Sequence, residues 1–140
     1  MKILITGGAG YIGSVLSEKL LSLGHMVTVV DIQMYNKTSL LPCIKYGKKF
    51  NFIRGDVRNE AMLKKLASAH DILIPLAALV GAPLCEKSPV DAELINFKHI
   101  KNMCDWKSAD QWILYPNSNS GYGATDGVSE CTEDSPMNPI

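Results

Sequence analysis

Residues Thr6–Gly13, TGGAGYIG, carry the strongest sequence signal for the fold of this chain. Gly7, Gly10 and Gly13 fit the pattern T-G-x-x-G-x-x-G, and the same stretch read from Gly8 fits G-x-G-x-x-G. Glycine is needed in such a turn for a tight bend, for close approach of the backbone to a pyrophosphate and for close packing of helix on strand. A strand-like run precedes it and a helical run follows. This context indicates a dinucleotide-binding turn rather than a glycine-rich connection without a ligand.

The run after the turn predicts a helix over 12–23 that presents one apolar face. Apolar residues recur there at helical spacing, and Gly24 is a suitable stop. The predicted face consists of Ile12, Val15, Leu16, Leu20 and Leu23. At the start of this helix, the main-chain N–H groups of Tyr11, Ile12 and Gly13 are free to bind phosphate oxygens.

Apolar strand-like runs alternate with helical patterns along the rest of the chain, which is typical of a parallel sheet built from βαβ units. The predicted strands are 2–6, 26–31, 50–54, 71–76 and 111–116. Asn59 caps a helix in which Met62, Leu63 and Leu66 face inward, and Ser88 caps another that runs to about Cys104, with Val90, Leu94, Phe97 and Ile100 on one side. The fold class predicted is α/β, a doubly wound parallel sheet of Rossmann type, truncated after the fifth strand.

Composition narrows the function classes. The chain has 140 residues and a formal net charge of zero, which does not favour nucleic acid or an anionic membrane as a partner. No apolar run is long enough to span a bilayer. Its four cysteines are scattered without close cysteine or histidine partners, so we expect free thiols, a cytoplasmic location and no metal site. The histidines His25, His70 and His99 are interpreted as surface residues.

Asp31 ends the second predicted strand, eighteen positions after Gly13. An acid at this place accepts hydrogen bonds from the ribose hydroxyls of adenosine and repels a 2′-phosphate, which favours NAD over NADP. A turn or capping aspartate is the alternative.

The motif at Thr6–Ser14 resembles the opening of NAD-dependent nucleotide-sugar epimerases and dehydratases of the extended short-chain dehydrogenase/reductase family. The resemblance implies that Asp56 and the N–H of Val57 contact the adenine. It places Leu76, Ala77 and Ala78 beside the nicotinamide, with Leu76 near the position of a family histidine. It implies that Asn96 lies near the cofactor.

The segment 115–123, YPNSNSGYG, is similar to the family's S-S-x-x-V-Y-G segment, so Ser118 takes the place of the catalytic serine or threonine. Turn or surface roles remain open for Ser118, Asp56 and Asn96. The family also needs a Y-x-x-x-K pair, and no tyrosine in this chain is followed by lysine four positions later. We therefore expect residues 1–140 to be an incomplete NAD-binding domain, inactive alone, without the catalytic helix and the C-terminal substrate domain.

The resemblance implies a nucleotide-sugar epimerase that forms a homodimer in its full-length form. Asn119 and Ser120 follow Ser118 where dehydratases carry acids, which favours an epimerase or reductase over a dehydratase. Two alternatives stay open: an NAD-dependent reductase or dehydratase of the same family, and a non-catalytic NAD-binding sensor or partner module.

Overall fold

The computed structural model describes residues 1–123 and 130–139. Its five strands are β1 (Lys2–Thr6), β2 (Met26–Asp31), β3 (Phe50–Arg54), β4 (Ile72–Pro75) and β5 (Trp112–Ile113). Its helices are α1 (Tyr11–Ser22), α2 (Glu60–Ala67), α3 (Ala82–Lys87), α4 (Pro89–Glu93) and α5 (His99–Trp106). A π-helical segment, Leu94–Lys98, joins α4 to α5. These three segments form one continuous helix, which we call helix 89–106. Short 3₁₀ segments occupy Leu41–Lys49 and Asn119–Tyr122.

The strands form one parallel sheet in the order β3-β2-β1-β4-β5. The chain moves outward from β1 to β3 and then crosses back to β4, so the order reverses between β1 and β4. Ligands of open α/β sheets bind beyond the carboxyl ends of the strands at such a reversal. The predicted doubly wound sheet is confirmed.

Alternation along β1 divides the core between the two faces of the sheet. Ile3 and Ile5 pack with Leu21 of α1 on one face, whereas Leu4 packs with Leu63 of α2 and Met103 of α5 on the other. Strands buried on both faces read as nearly continuous apolar runs, which is why β1 and β2 were predicted with their observed bounds. The edge strand β3 also has its predicted bounds, although Asn51 and Arg54 are exposed.

The predicted inward face of α1 is wrong in part. Its buried residues are Gly13, Ser17 and Leu21, whereas Ile12, Val15 and Leu23 are exposed. Small residues let the helix approach the sheet closely, and the Ser17 hydroxyl is satisfied by the Gly13 carbonyl at 2.6 Å. Close approach therefore turns larger apolar side chains away from the core; Leu16 and Leu20 remain half-buried.

Two predicted strands are shorter than expected. Strand β4 covers Ile72–Pro75 instead of 71–76, and β5 covers Trp112–Ile113 instead of 111–116. Leu114 still donates to the Leu73 carbonyl at 2.9 Å, but Pro75 has no N–H with which to extend the ladder. The sheet therefore ends in a short edge strand.

The two predicted helix caps have different outcomes. Asn59 accepts a hydrogen bond from the Met62 N–H at 3.1 Å and caps α2, whose predicted inward residues are buried or half-buried. Ser88 precedes helix 89–106, but its side chain makes no capping hydrogen bond because α3 leads directly into it. On that helix Val90 and Phe97 are exposed, whereas Leu94 and Ile100 are half-buried, so only half of the predicted apolar side faces outward. No helix in the described ranges is both long and apolar enough to cross a membrane.

Candidate functional site

The carboxyl ends of the strands border a cleft of about 640 Å³ at the point where the strand order reverses. We refer to it as the cleft. It collects every residue for which the sequence predicts a role in cofactor binding: Gly7, Gly10, Tyr11, Ile12, Gly13, Asp31, Asp56, Val57, Leu76, Ala77, Ala78 and Asn96. The cleft thereby brings together predicted residues as distant in the sequence as Gly7 and Asn96, which are 89 positions apart.

Each glycine of the turn has a distinct role. Gly7 has a φ of +71°, and a Cβ placed on it would lie 2.5 Å from the Ala77 nitrogen. A Cβ on Gly13 would lie 2.5 Å from the Gly8 Cα. A Cβ on Gly10 would meet only the Gly7 carbonyl oxygen, at 3.1 Å. Gly7 therefore permits the bend, Gly13 permits helix packing, and Gly10 keeps the cleft side open for a ligand.

Helix α1 points its amino terminus into the cleft. Gly10 is its capping residue, has extended backbone angles and supplies no side-chain cap. The first N–H groups of a helix have no intrahelical acceptor, and they carry the positive end of the helix dipole. Tyr11 and Ile12 carry these groups at the cleft wall. The start of α1 fits a pyrophosphate, because its N–H groups are donors that no capping side chain covers.

Asp31 stabilises the glycine turn directly. Its Oδ2 accepts a hydrogen bond from the Ala9 N–H at 3.0 Å, and its Oδ1 accepts one from the Gln33 N–H at 2.6 Å. The Ser39 hydroxyl donates to the Ala9 carbonyl at 2.6 Å, so the Ala9 residue is held through both its main-chain polar groups. The turn role left open for Asp31 is therefore present. Asp31 also lines the cleft, so the ribose contact stays a prediction.

Asp56 and Val57 form the cleft wall beyond β3. The Asp56 carboxylate accepts charge-assisted hydrogen bonds from Arg58, which hold the pKa of Asp56 below its usual value. Arg58 also reaches Asp91 of α4. The sequence analysis did not predict that Arg58 pairs with either Asp56 or Asp91. The short spacing of Asp56 and Arg58 was a usable signal, but the contact with Asp91 depends on the tertiary structure.

Loop 76–80 follows β4 and forms the opposite part of the cleft. Its Leu79 donates to Asn96 Oδ1 at 2.8 Å, and Asn96 Nδ2 donates to the Leu79 carbonyl at 2.9 Å. The Cys85 thiol donates to the same carbonyl at 3.4 Å. Asn96 therefore holds the loop and also lines the cleft, while its contact with the cofactor stays a prediction.

Asn96 lies within the π-helical segment, a rare geometry that often marks functional sites. His99, one turn later, bonds the Ile95 carbonyl through Nδ1, and its Nε2 has no partner in the described part of the chain. Only 2% of His99 is exposed, so its prediction as a surface residue is wrong. Burial lowers the pKa of His99.

His70 also departs from the prediction of a surface histidine. It is half-buried and bridges the Leu66 carbonyl, at 2.7 Å, and the Thr28 hydroxyl, at 2.8 Å. These bonds join α2 to β2 at the end of the sheet opposite the cleft. Both corrections share a cause, since in each histidine the carbonyl four positions earlier, Leu66 or Ile95, accepts from Nδ1 and so allows the ring to pack inward.

Ser118 lies just beyond the cleft, whose described lining ends at Pro116. It is exposed, its Oγ is 2.8 Å from the Ser120 Oγ, and it accepts from the Ser120 N–H at 3.3 Å. This is the turn role that the sequence left open for Ser118. Neither 1–123 nor 130–139 contains a group of three metal-ligating side chains.

A reversal of strand order, a three-glycine turn and an uncapped helix amino terminus define a Rossmann-type dinucleotide-binding domain. Comparison with known proteins refines this class. Residues 3–140 match the model of the NAD dependent epimerase/dehydratase family, and the chain belongs to that family. NAD is accordingly its cofactor, and the family is one of enzymes.

Similar proteins include a UDP-glucose 4-epimerase from Klebsiella pneumoniae, 45% identical over 51% of this chain and 53% of that protein. A UDP-N-acetyl-alpha-D-glucosaminuronate decarboxylase from Bacillus cytotoxicus is 32% identical over 87% of this chain and 38% of that protein. The crystal structure of UDP-glucose-4-epimerase from Stenotrophomonas maltophila, with bound NAD and formylated UDP-arabinopyranose, superposes with a TM-score of 0.85. That structure is 25% identical, and the match covers all of this chain and 43% of that one. The chain thus spans about half the length of these relatives or less.

Proposed function

We propose that this chain is the NAD-binding part of a nucleotide-sugar epimerase that works by transient hydride transfer to NAD. The observation that carries the proposal is the cleft itself, in which the glycine turn, Asp31, the 56–57 wall and loop 76–80 face one space. The names of the similar proteins, an epimerase and a sugar-nucleotide decarboxylase, support a nucleotide-sugar substrate.

In this proposal different residues of the cleft bind different parts of NAD. The first N–H groups of α1 bind the pyrophosphate, with Gly10 leaving room for it. Asp31 accepts from the ribose hydroxyls, and Asp56 with the Val57 N–H contacts the adenine. Loop 76–80, held by Asn96, shapes the wall for the nicotinamide. NAD supplies the hydride acceptor when bound.

Ser118 is the proposed hydrogen-bond partner of the reacting sugar hydroxyl. Its Oγ accepts from Ser120 and remains exposed next to the end of the cleft lining. A positioned hydroxyl can stabilise the oxyanion that develops as the hydride leaves the sugar carbon. The proton acceptor of the reaction is expected from a tyrosine of a Y-x-x-x-K pair, which residues 1–140 do not include.

The test has two arms. Residues 1–140 should bind NAD by titration calorimetry and should not interconvert UDP-glucose and UDP-galactose, because the proton-transfer pair is missing. In a chain that also carries the Y-x-x-x-K pair, Ser118→Ala should lower kcat about 100-fold or more with little change in the Kd for NAD. Ser108→Ala, an exposed serine away from the cleft, is the matched control. Turnover at normal rates by residues 1–140, or full activity of Ser118→Ala, would contradict the proposal.

A homodimer and a cytoplasmic location belong to the same proposal. The exposed apolar side of helix 89–106, with Val90 and Phe97, supports a subunit contact. Four unpaired cysteines support a reducing compartment. A reductase or decarboxylase of the same family is the second candidate, supported by the decarboxylase relative, and product analysis by chromatography distinguishes it.

A further inference from the structure

Arg58 ties the cleft wall to helix 89–106. Its Nε lies 3.0 Å from both carboxylate oxygens of Asp56, and its Nη2 lies 2.5 Å from Asp56 Oδ2. Its Nη1 lies 2.6 Å from Asp91 Oδ1, on the first turn of α4. The same arginine thus bridges two carboxylates that are 35 positions apart in the sequence, as numbers 56 and 91 show.

We infer that Arg58 is a positioning residue for base selectivity: its bridge between Asp56 and Asp91 fixes the Asp56 carboxylate so that it selects a 6-aminopurine over a 6-oxopurine. This inference rests on the proposed contact of Asp56 and Val57 with the adenine. It adds a residue to that contact that does not itself touch the base.

Arg58 uses only part of the hydrogen-bonding capacity of Asp56. Its Oδ1 accepts from the Arg58 main-chain N–H at 2.9 Å and from Nε, whereas its Oδ2 accepts from Nη2 and shares Nε with Oδ1. A carboxylate oxygen accepts about two hydrogen bonds. Because one Nε hydrogen serves both oxygens, Oδ2 keeps an acceptor position for one further N–H. A two-point contact with a planar guanidinium also fixes the plane of the carboxylate.

The neighbouring main-chain group completes the selection. The Val57 N–H donates to no acceptor within residues 1–123 and 130–139, and Val57 lines the cleft. An acceptor beside a donor matches adenine, whose 6-amino group donates and whose N1 accepts. Hypoxanthine reverses both groups, since its O6 accepts and its N1–H donates. The pair therefore rejects hypoxanthine only if the carboxylate is held in place.

Exposure of the charged groups explains why positioning is the role rather than stability. The side chains of Arg58, Asp56 and Asp91 are 38%, 34% and 45% exposed. Ion pairs at this exposure are screened by water and add little to folding. A network that ends on a cleft residue can still restrict the orientation of that residue. The expected consequence is a change in ligand discrimination with a small change in melting temperature.

The experiment compares two dinucleotides by titration calorimetry with the purified protein: NAD and nicotinamide hypoxanthine dinucleotide. We expect the wild type to bind NAD about 30-fold more tightly than the hypoxanthine analogue, since the analogue leaves polar groups unpaired. Arg58→Ala should reduce this ratio to about 5 or less. Arg58→Lys should reduce it similarly, because lysine keeps the charge and loses the fork. Asp91→Asn should give an intermediate ratio, because it removes the second anchor without touching Asp56.

Lys101→Ala is the matched control, since it removes an exposed ion pair with Asp105 from the same helix and leaves the cleft unchanged. Its ratio should equal that of the wild type. An unchanged ratio in Arg58→Ala would overturn the inference, as would an unchanged ratio in Asp91→Asn should Arg58→Ala fail to fold. Asp56→Ala distinguishes the role of Arg58 from the proposed contact of Asp56 with the adenine. If the ratio falls in Asp56→Ala alone, only the role of Arg58 is wrong. If the wild type binds both dinucleotides equally, the proposed adenine contact is wrong as well.

Discussion

The glycine turn depends first on main-chain geometry, with added support from the Asp31 and Ser39 side chains, whereas loop 76–80 is held by side chains alone. The turn depends on a φ of +71° at Gly7 and on contacts too close for any Cβ. The loop depends on two hydrogen bonds from Asn96 and one from Cys85. A backbone constraint cannot be altered without strain on the sheet, but a side-chain constraint can be removed while the sheet remains. Substitutions in the glycine turn and in loop 76–80 should therefore have different effects.

The largest expected effect is on folding at the turn. Gly7→Ala forces a Cβ into the Ala77 backbone at a positive φ, and we expect it to lower the free energy of unfolding by about 3 kcal/mol. Gly24→Ala is the control, because Gly24 has a φ of +91° with nothing within 4 Å of the added Cβ. It should lose about 1 kcal/mol. Urea denaturation measures both, and equal losses would mean that the contact with loop 76–80 is unimportant.

Gly10→Ala should separate binding from stability at the same turn. Gly10 has a φ of −72°, which alanine tolerates, and the added Cβ meets only one oxygen. We expect a change of less than about 1 kcal/mol in unfolding but a loss of about 30-fold in NAD affinity, because the Cβ occupies the approach of the pyrophosphate. Calorimetric titration with NAD is the measurement. Wild-type affinity in this variant would place the pyrophosphate elsewhere.

Asn96→Ala should affect loop 76–80 and leave the glycine turn unchanged. It leaves the N–H and C=O of the buried Leu79 without their amide partners, which costs about 2 kcal/mol. Hydrogen–deuterium exchange should rise across loop 76–80 and stay unchanged at the glycine turn. Asn96→Asp keeps the acceptor and loses the donor, so it should be intermediate. A rise in exchange at both ends would show that the cleft is one cooperative unit.

The same contrast explains how much the sequence could predict. The glycine turn and the bounds of β1 to β3 follow from local rules, since glycine spacing and apolar runs record backbone requirements. The inward face of α1 was mispredicted because Gly13 and Ser17 set the approach distance, which an apolar pattern does not register. The link from Arg58 to Asp91 and the π-helical segment around Asn96 depend on tertiary contacts, which no local spacing encodes.

His99 tests the loop side of this contrast by pH. It lies on the helix that holds loop 76–80 and does not contact the glycine turn. Burial keeps its pKa below the usual value of 6.5, so the native state binds the proton less readily than the unfolded chain. Its contribution to stability is therefore present above pH 6.5 and is lost as the pH falls below that value. Between pH 7.5 and 5.5 the loss from this group should reach about 1.4 kcal/mol at most. His99→Asn retains a donor for the Ile95 carbonyl and does not titrate, so the difference between the two urea-stability profiles isolates the group from other acids and bases. Parallel profiles would mean that His99 is protonated as readily in the native state as in the unfolded chain.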